Sequence, residues 1–60
     1  MKKVALLLAD GFEEVEAVTC ADFLRRAGIE VLISSIGELT VTGSNNIVIQ
    51  ADTTVAALPA

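Results

Sequence analysis

The run KVALLLADGFEEVEAVTCADFLRRAGIEV, Lys3 to Val31, decides the fold. Lys3 to Leu8 is a continuous apolar run of strand length without period-two alternation, which predicts a strand covered on both faces. Ala9-Asp10-Gly11 breaks it. Phe12 to Ala27 holds helix-forming residues with no internal Gly or Pro. Glu13 and Glu14 sit in its first turn and Arg25 and Arg26 in its last, which complements the helix dipole at both ends. Gly28 is the C-terminal stop. Ile29 to Ile36 is rich in β-branched residues and predicts a second strand. Strand, helix and strand over this length make a βαβ unit with parallel pairing and a right-handed crossover.

Outward from this unit, Gly37-Glu38 is a turn and Leu39 to Thr42 a short alternating strand. Gly43-Ser44-Asn45-Asn46 is a turn cluster, Ile47 to Ala51 is a further strand, and the two strands suggest a hairpin. Asp52 is placed to cap a short helical turn over Thr53 to Leu58, ended by Pro59. The parallel strand needs cover on two faces, and the chain offers one substantial helix. The rest of the domain is therefore expected from another chain, a further segment or a symmetry mate; the alternative is a small autonomous module.

Composition narrows the function classes. A hydrophobic fraction of 53% over 60 residues excludes disorder. Four basic against eight acidic residues, a net charge of −4, leave no basic patch for nucleic acid or for an anionic membrane. One cysteine and no histidine exclude an internal disulfide and a zinc finger. An unpaired cysteine fits a reducing compartment, so a cytoplasmic chain is expected. Met1-Lys2-Lys3 and the apolar run after it mimic the start of a signal peptide, but the run stops at Asp10, far short of the roughly 18 residues of a spanning helix.

On a helical wheel at about 100° per residue, Phe12, Phe23, Ala27, Cys20, Leu24, Ala17 and Ala21 share one arc, with Glu14, Asp22, Arg25 and Arg26 mostly opposite. Asp22 can pair with Arg25 or Arg26. Glu16 breaks the pattern: at about 40° it falls between Phe23 and Ala27, so it is expected to point into the apolar face that packs on the sheet. A carboxylate there must be hydrogen-bonded, protonated or both. A neutral carboxylic acid that donates a hydrogen bond is an active-site device, and Glu16 lies near the C-terminal end of the first strand, where open parallel sheets place ligands. Snorkelling to the rim or a structural hydrogen bond explains it equally well. Val15 and Val18 are the converse, apolar residues on the charged face, open to an interface or to nothing.

Other motifs carry less. Gly11 alone is no dinucleotide fingerprint, and Asp10, Glu13 and Glu14 would oppose a phosphate at this helix N-terminus. Those three acids could hold Mg²⁺, but acids in a first turn are more often plain dipole complements, and no metal or cofactor is expected. Cys20 reads as an inert small hydrophobe. Ser34, Ser35 and Ser44 have no base partner. The chain alone contains no complete catalytic set.

Leu7 to Val31 and Thr40 to Asp52 (TVTGSNNIVIQAD) resemble the start of the ThiJ/PfpI superfamily, with G-x-E-E-x-E followed by R-R-A-G-I-x-V as the specific signature and the parkinsonism-associated branch as the nearest likeness. The resemblance implies that residues 1–60 are the N-terminal part of a single domain. That domain would be a flavodoxin-like (class I glutamine amidotransferase-like) three-layer α/β sandwich of which this βαβ unit and hairpin form one portion. It implies a homodimer, with Val15 and Val18 at the contact. Glu16 matches a glutamate that hydrogen-bonds a reactive cysteine on a later strand, and Gly11 matches a loop glycine beside the same pocket. The implied activity is that of a glyoxalase or protein deglycase on small reactive carbonyls. The alternatives are a redox-sensing or chaperone-like dimer without turnover, or a protein carrying the family's intracellular protease or thiazole-biosynthesis labels. Cys20 stands where proline or threonine is common and does not match the nucleophile, which lies outside these residues.

Overall fold

The computed structural model describes residues 2–58. Strand β1 (Lys3–Leu8) leads through a turn into helix α1 (Glu14–Arg26) and returns as strand β2 (Glu30–Ser35). β1 and β2 pair in parallel, in register from Lys3 opposite Glu30 to Leu8 opposite Ser35. Gly28 takes φ +83 at the end of α1, a left-handed conformation that glycine adopts without Cβ strain. Strands β3 (Thr40–Thr42) and β4 (Val48–Gln50) pair antiparallel as a separate hairpin. Its turn closes through the Asn46 N–H donating to the Gly43 carbonyl at 3.0 Å, with Asn46 at φ 66 in the left-handed region that asparagine tolerates.

One element differs from expectation. Thr53–Thr54 forms a third strand, β5, parallel to β2, and only Val55–Ala57 coils into a 3₁₀ turn. Asp52 caps nothing. Its carboxylate accepts the Ile33 N–H at 2.9 Å and an Arg25 N–H at 3.0 Å, while its own N–H donates to the Ile33 carbonyl at 2.8 Å. The open edge of β2 offers backbone partners that a helical turn would forgo, and two threonines suit a strand. Pro59 lies outside the described residues.

The sheet order is β1-β2-β5, which leaves β1 at an edge. Within this chain β1 is not covered on both faces: Leu8 is buried and Val4 and Leu6 half-buried, but Ala5 is exposed and Leu7 is 55% exposed. The core is small: Leu8, Ala21, Val31, Val41 and Ala51. Arg25 ties the end of α1 to the sheet, donating to the Val31 carbonyl at 3.0 Å as well as to Asp52, and Arg26 pairs with Asp22 at 2.8 Å as the spacing predicts. Among the described residues no helix is long and apolar enough to cross a membrane.

The apolar arc of α1 splits. Ala21 is buried and Ala17 and Leu24 half-buried, whereas Cys20 and Ala27 are exposed and Phe23 is 67% exposed. On the wheel the seated residues cluster near 120–180° and the bare ones near 20–80°, counted at about 100° per residue. Glu16 belongs to the bare half and is exposed, which corrects the expectation that it packs on the sheet. The cause is the roll of the helix, which seats only one edge of its apolar arc.

Candidate functional site

The loop from β1 into α1 is built against the hairpin. Gly11, at φ +88, makes a turn that a Cβ would strain. Its N–H donates to the Thr42 carbonyl at 2.8 Å, and the Ser44 N–H donates to the Phe12 carbonyl at 2.8 Å. The Thr42 N–H donates to the Asp10 carboxylate at 3.1 Å. Two backbone bonds and one side-chain bond thus strap residues 10–12 to one end of β3–β4.

Glu14 completes the strap. It was expected on the solvated face of α1, yet it is only 4% exposed. Its Oε2 accepts the Asn45 N–H at 2.7 Å and the Ile47 N–H at 3.2 Å. Its Oε1 accepts from Asn45 Nδ2 at 2.9 Å and from Ser44 Oγ at 3.4 Å. Burial alone would raise the carboxyl's pKa. The hydrogen bonds from the Asn45 side chain, its own backbone N–H and the Ile47 and Asn45 amides outweigh that and lower it from 4.5 to about 2. Gly43 makes room: a Cβ there would stand 2.3 Å from Glu14 Cδ and Oε2. Hydropathy reading misses this residue because the contact is wholly polar. Its signal is an acid in a first turn together with a donor-rich Gly-Ser-Asn-Asn turn downstream.

Glu16, two residues on, projects from the helix about 160° away from Glu14. It lines a shallow groove of about 270 Å³ with Leu6, Leu7, Leu8, Phe12, Ala17 and Cys20, and with a second acid, Glu13. Among the described residues it takes no hydrogen bond and no ion pair. The groove runs beside the C-terminal half of β1, so Glu16 stands exposed at the unpaired edge of the parallel sheet, in a largely apolar groove. A second cleft of about 510 Å³ opens at the ends of β1 and β2, lined by Asp10, Ser35, Ile36, Glu38 and Val41 among others. There the Ser35 hydroxyl donates to the Glu38 carbonyl and accepts the Gly37 N–H, so it closes a turn. Gly11 lines neither cleft; it stands between Asp10, which faces one, and Phe12, which faces the other.

Val15 and Val18 stand out from the helix, 72% and 51% exposed. Cys20 is free and exposed one turn beyond Glu16, in the same groove. Asp10, Glu13 and Glu14 do not converge: their carboxylates turn to Thr42, Asn45 and Ile47. Among the described residues no three His, Cys, Asp or Glu side chains are grouped to hold a metal ion.

Residues 2–59 match the model of the DJ-1/PfpI family. The chain is 41% identical over 56 residues to protein dj-1beta of Drosophila melanogaster, an alignment that takes in 92% of this chain and 30% of the relative. Its structure is similar to that of Toxoplasma gondii DJ-1, oxidized, with a TM-score of 0.93 and 38% identity over 95% of this chain and 32% of that one. It is also similar to a DJ-1 superfamily protein from Salmonella typhimurium, with a TM-score of 0.89 and 44% identity over 93% and 31%. The chain spans about 30% of the length of these relatives. Its architecture is the N-terminal βαβ portion of a flavodoxin-like α/β fold. The chain belongs to the DJ-1/PfpI family.

Proposed function

We propose that this DJ-1/PfpI chain contributes the glutamate of a cysteine-dependent site acting on small reactive carbonyls, in the manner of a glyoxalase or protein deglycase. The observation that carries the reading is the position of Glu16, unpaired among the described residues in a largely apolar groove at the open edge of β1. The family's remaining length, beyond the 30% spanned here, would close that edge and bring the cysteine. In its protonated form a carboxyl donates a hydrogen bond to a thiolate. That bond holds the thiol ionised, hence nucleophilic, near neutral pH. The thiolate then adds to the carbonyl carbon of the substrate, the C=O π pair moves onto the oxygen, and that oxygen takes a proton from water to give a hemithioacetal. Gly11 supports the site from the loop, by a turn that keeps the β1–α1 connection short.

The test is thiol alkylation across pH 5 to 8 in the complete domain that carries this segment. Glu16→Ala should raise the thiol pKa and slow alkylation below it. Superimposable profiles for parent and variant would remove Glu16 from the chemistry.

A second reading is favoured by the solved relative described as oxidized: the same thiol serves as a redox sensor in a dimer without turnover. Glu16 then stabilises the oxidised sulfur by the same hydrogen bond. Oxidation of the thiol to sulfinate by two equivalents of added peroxide, each reduced to water, with no consumption of glyoxal selects this reading; steady consumption selects the first. In either case Val15 and Val18 are proposed as part of a homodimer contact, supported by their exposure on the outer side of α1.

A further inference from the structure

We infer that Glu14 and Gly43 form a positioning pair for Glu16: the hairpin grips the first turn of α1 from one side, and this grip fixes the roll of the helix that aims Glu16 at the edge of β1. The inference rests on the reading of Glu16 given above. Glu14 and Glu16 leave the helix about 160° apart, so holding one determines where the other points. The grip is unusually complete for a helix end. Glu13 makes no capping bond to the backbone, so the N-terminus of α1 has no side-chain cap of its own. In its place the Glu14 carboxylate takes four donors from Ser44, Asn45 and Ile47. The strap through Gly11–Thr42 and Ser44–Phe12 holds the preceding loop to the same hairpin. With its pKa at about 2, Glu14 stays charged through the whole physiological range, so the grip stays closed across that range. Gly43 is required because any side chain there occupies the place of the Glu14 carboxylate. Ala17, Ala21 and Leu24 seat the helix from the opposite edge of its apolar arc, while Phe23, Ala27 and Cys20, which share the side of Glu16, are exposed and add no hold there.

The experiment measures thiol alkylation against pH in the complete domain for Glu16→Ala, Glu14→Ala, Glu14→Gln and the double variant Glu14→Ala/Glu16→Ala. Glu14→Ala should slow alkylation about tenfold below the thiol pKa, in the same direction as Glu16→Ala. Glu14→Gln should retain most of the parent rate, because its carbonyl still accepts the Asn45 and Ile47 amides. The double variant should be no slower than Glu16→Ala alone. Loosened packing by itself would expose the thiol and speed alkylation at every pH, so the two causes move the profile in opposite senses. Should Glu14→Ala fail to fold, Asn45→Ala removes one side-chain donor only and should give the same shift at smaller amplitude. If Glu16→Ala slows the reaction while Glu14→Ala and Asn45→Ala do not, or if the double variant is additive, the positioning role is overturned and the reading of Glu16 stands. If Glu16→Ala changes nothing, both fall.

Discussion

Replacing Gly43 by alanine isolates the contact on which the hairpin grip depends. Gly43 does not lie at positive φ, so the substitution strains no backbone dihedral; only the new Cβ matters. That atom would stand 2.3 Å from Glu14 Cδ and Oε2 and 2.6 Å from Cγ, well inside any tolerated carbon contact. Glu14 is at the start of α1 and its carboxylate is fixed by four donors, so it cannot swing aside without giving them up. Overpacking of this kind costs about 1–3 kcal/mol. In the complete domain, about three times this length, each kcal/mol lowers the melting midpoint by about 2–4 °C. The local consequence is sharper than the global one. The Asn45 and Ile47 amides lose their acceptor, and their hydrogen exchange should accelerate about tenfold or more for each 1.4 kcal/mol of local opening. Gly37→Ala is the matched control, since a Cβ at Gly37 meets nothing within 4 Å; it should stay within about 0.5 kcal/mol of the parent. Equal melting midpoints for the two variants, with Asn45 and Ile47 exchange unchanged, would refute the grip.

Acid should release the same contact. Because folding lowers the Glu14 pKa from 4.5 to about 2, the stability it contributes is complete above pH 4.5 and is lost as the pH falls toward 2. An acid titration should therefore show Glu14→Gln and parent converging over that window, and parallel curves would count against it. Asp52→Ala removes the acceptor of the Ile33 N–H and of Arg25, and should cost about 1 kcal/mol in denaturant unfolding. Asp52→Asn should recover part of that loss, since its amide carbonyl can still accept the Ile33 N–H. Val15→Asp with Val18→Asp should leave the fold intact and shift sedimentation of the complete domain from dimer to monomer; an unchanged dimer places the contact elsewhere.

Hydrophobic spacing alone locates β1, whose predicted bounds, Lys3 and Leu8, are those observed, and it locates the body of α1 and the two strands of the hairpin. It fails where the partner of a residue is decided by topology. Which half of the apolar arc of α1 is seated depends on where the helix rolls, and the helix's own sequence is apolar over both halves. The two-residue strand β5 is too short to carry a period, and it forms because β2 has an open edge. Glu14 and Glu16 make the point most directly. They are the same side chain, two residues apart, and the wheel places Glu16 inward and Glu14 outward. The structure reverses the burial of both, because a turn rich in backbone N–H donors stands opposite Glu14, whereas Glu16 lies in a largely apolar groove that offers it no donor among the described residues. A buried charge is tolerated where donors surround it, so Glu14 can be spent on construction. A carboxylate left unpaired beside leucines and a phenylalanine has no such structural use within this chain. That asymmetry, rather than the order of the two residues in the motif, makes Glu16 the candidate for chemistry and Glu14 the residue that aims it.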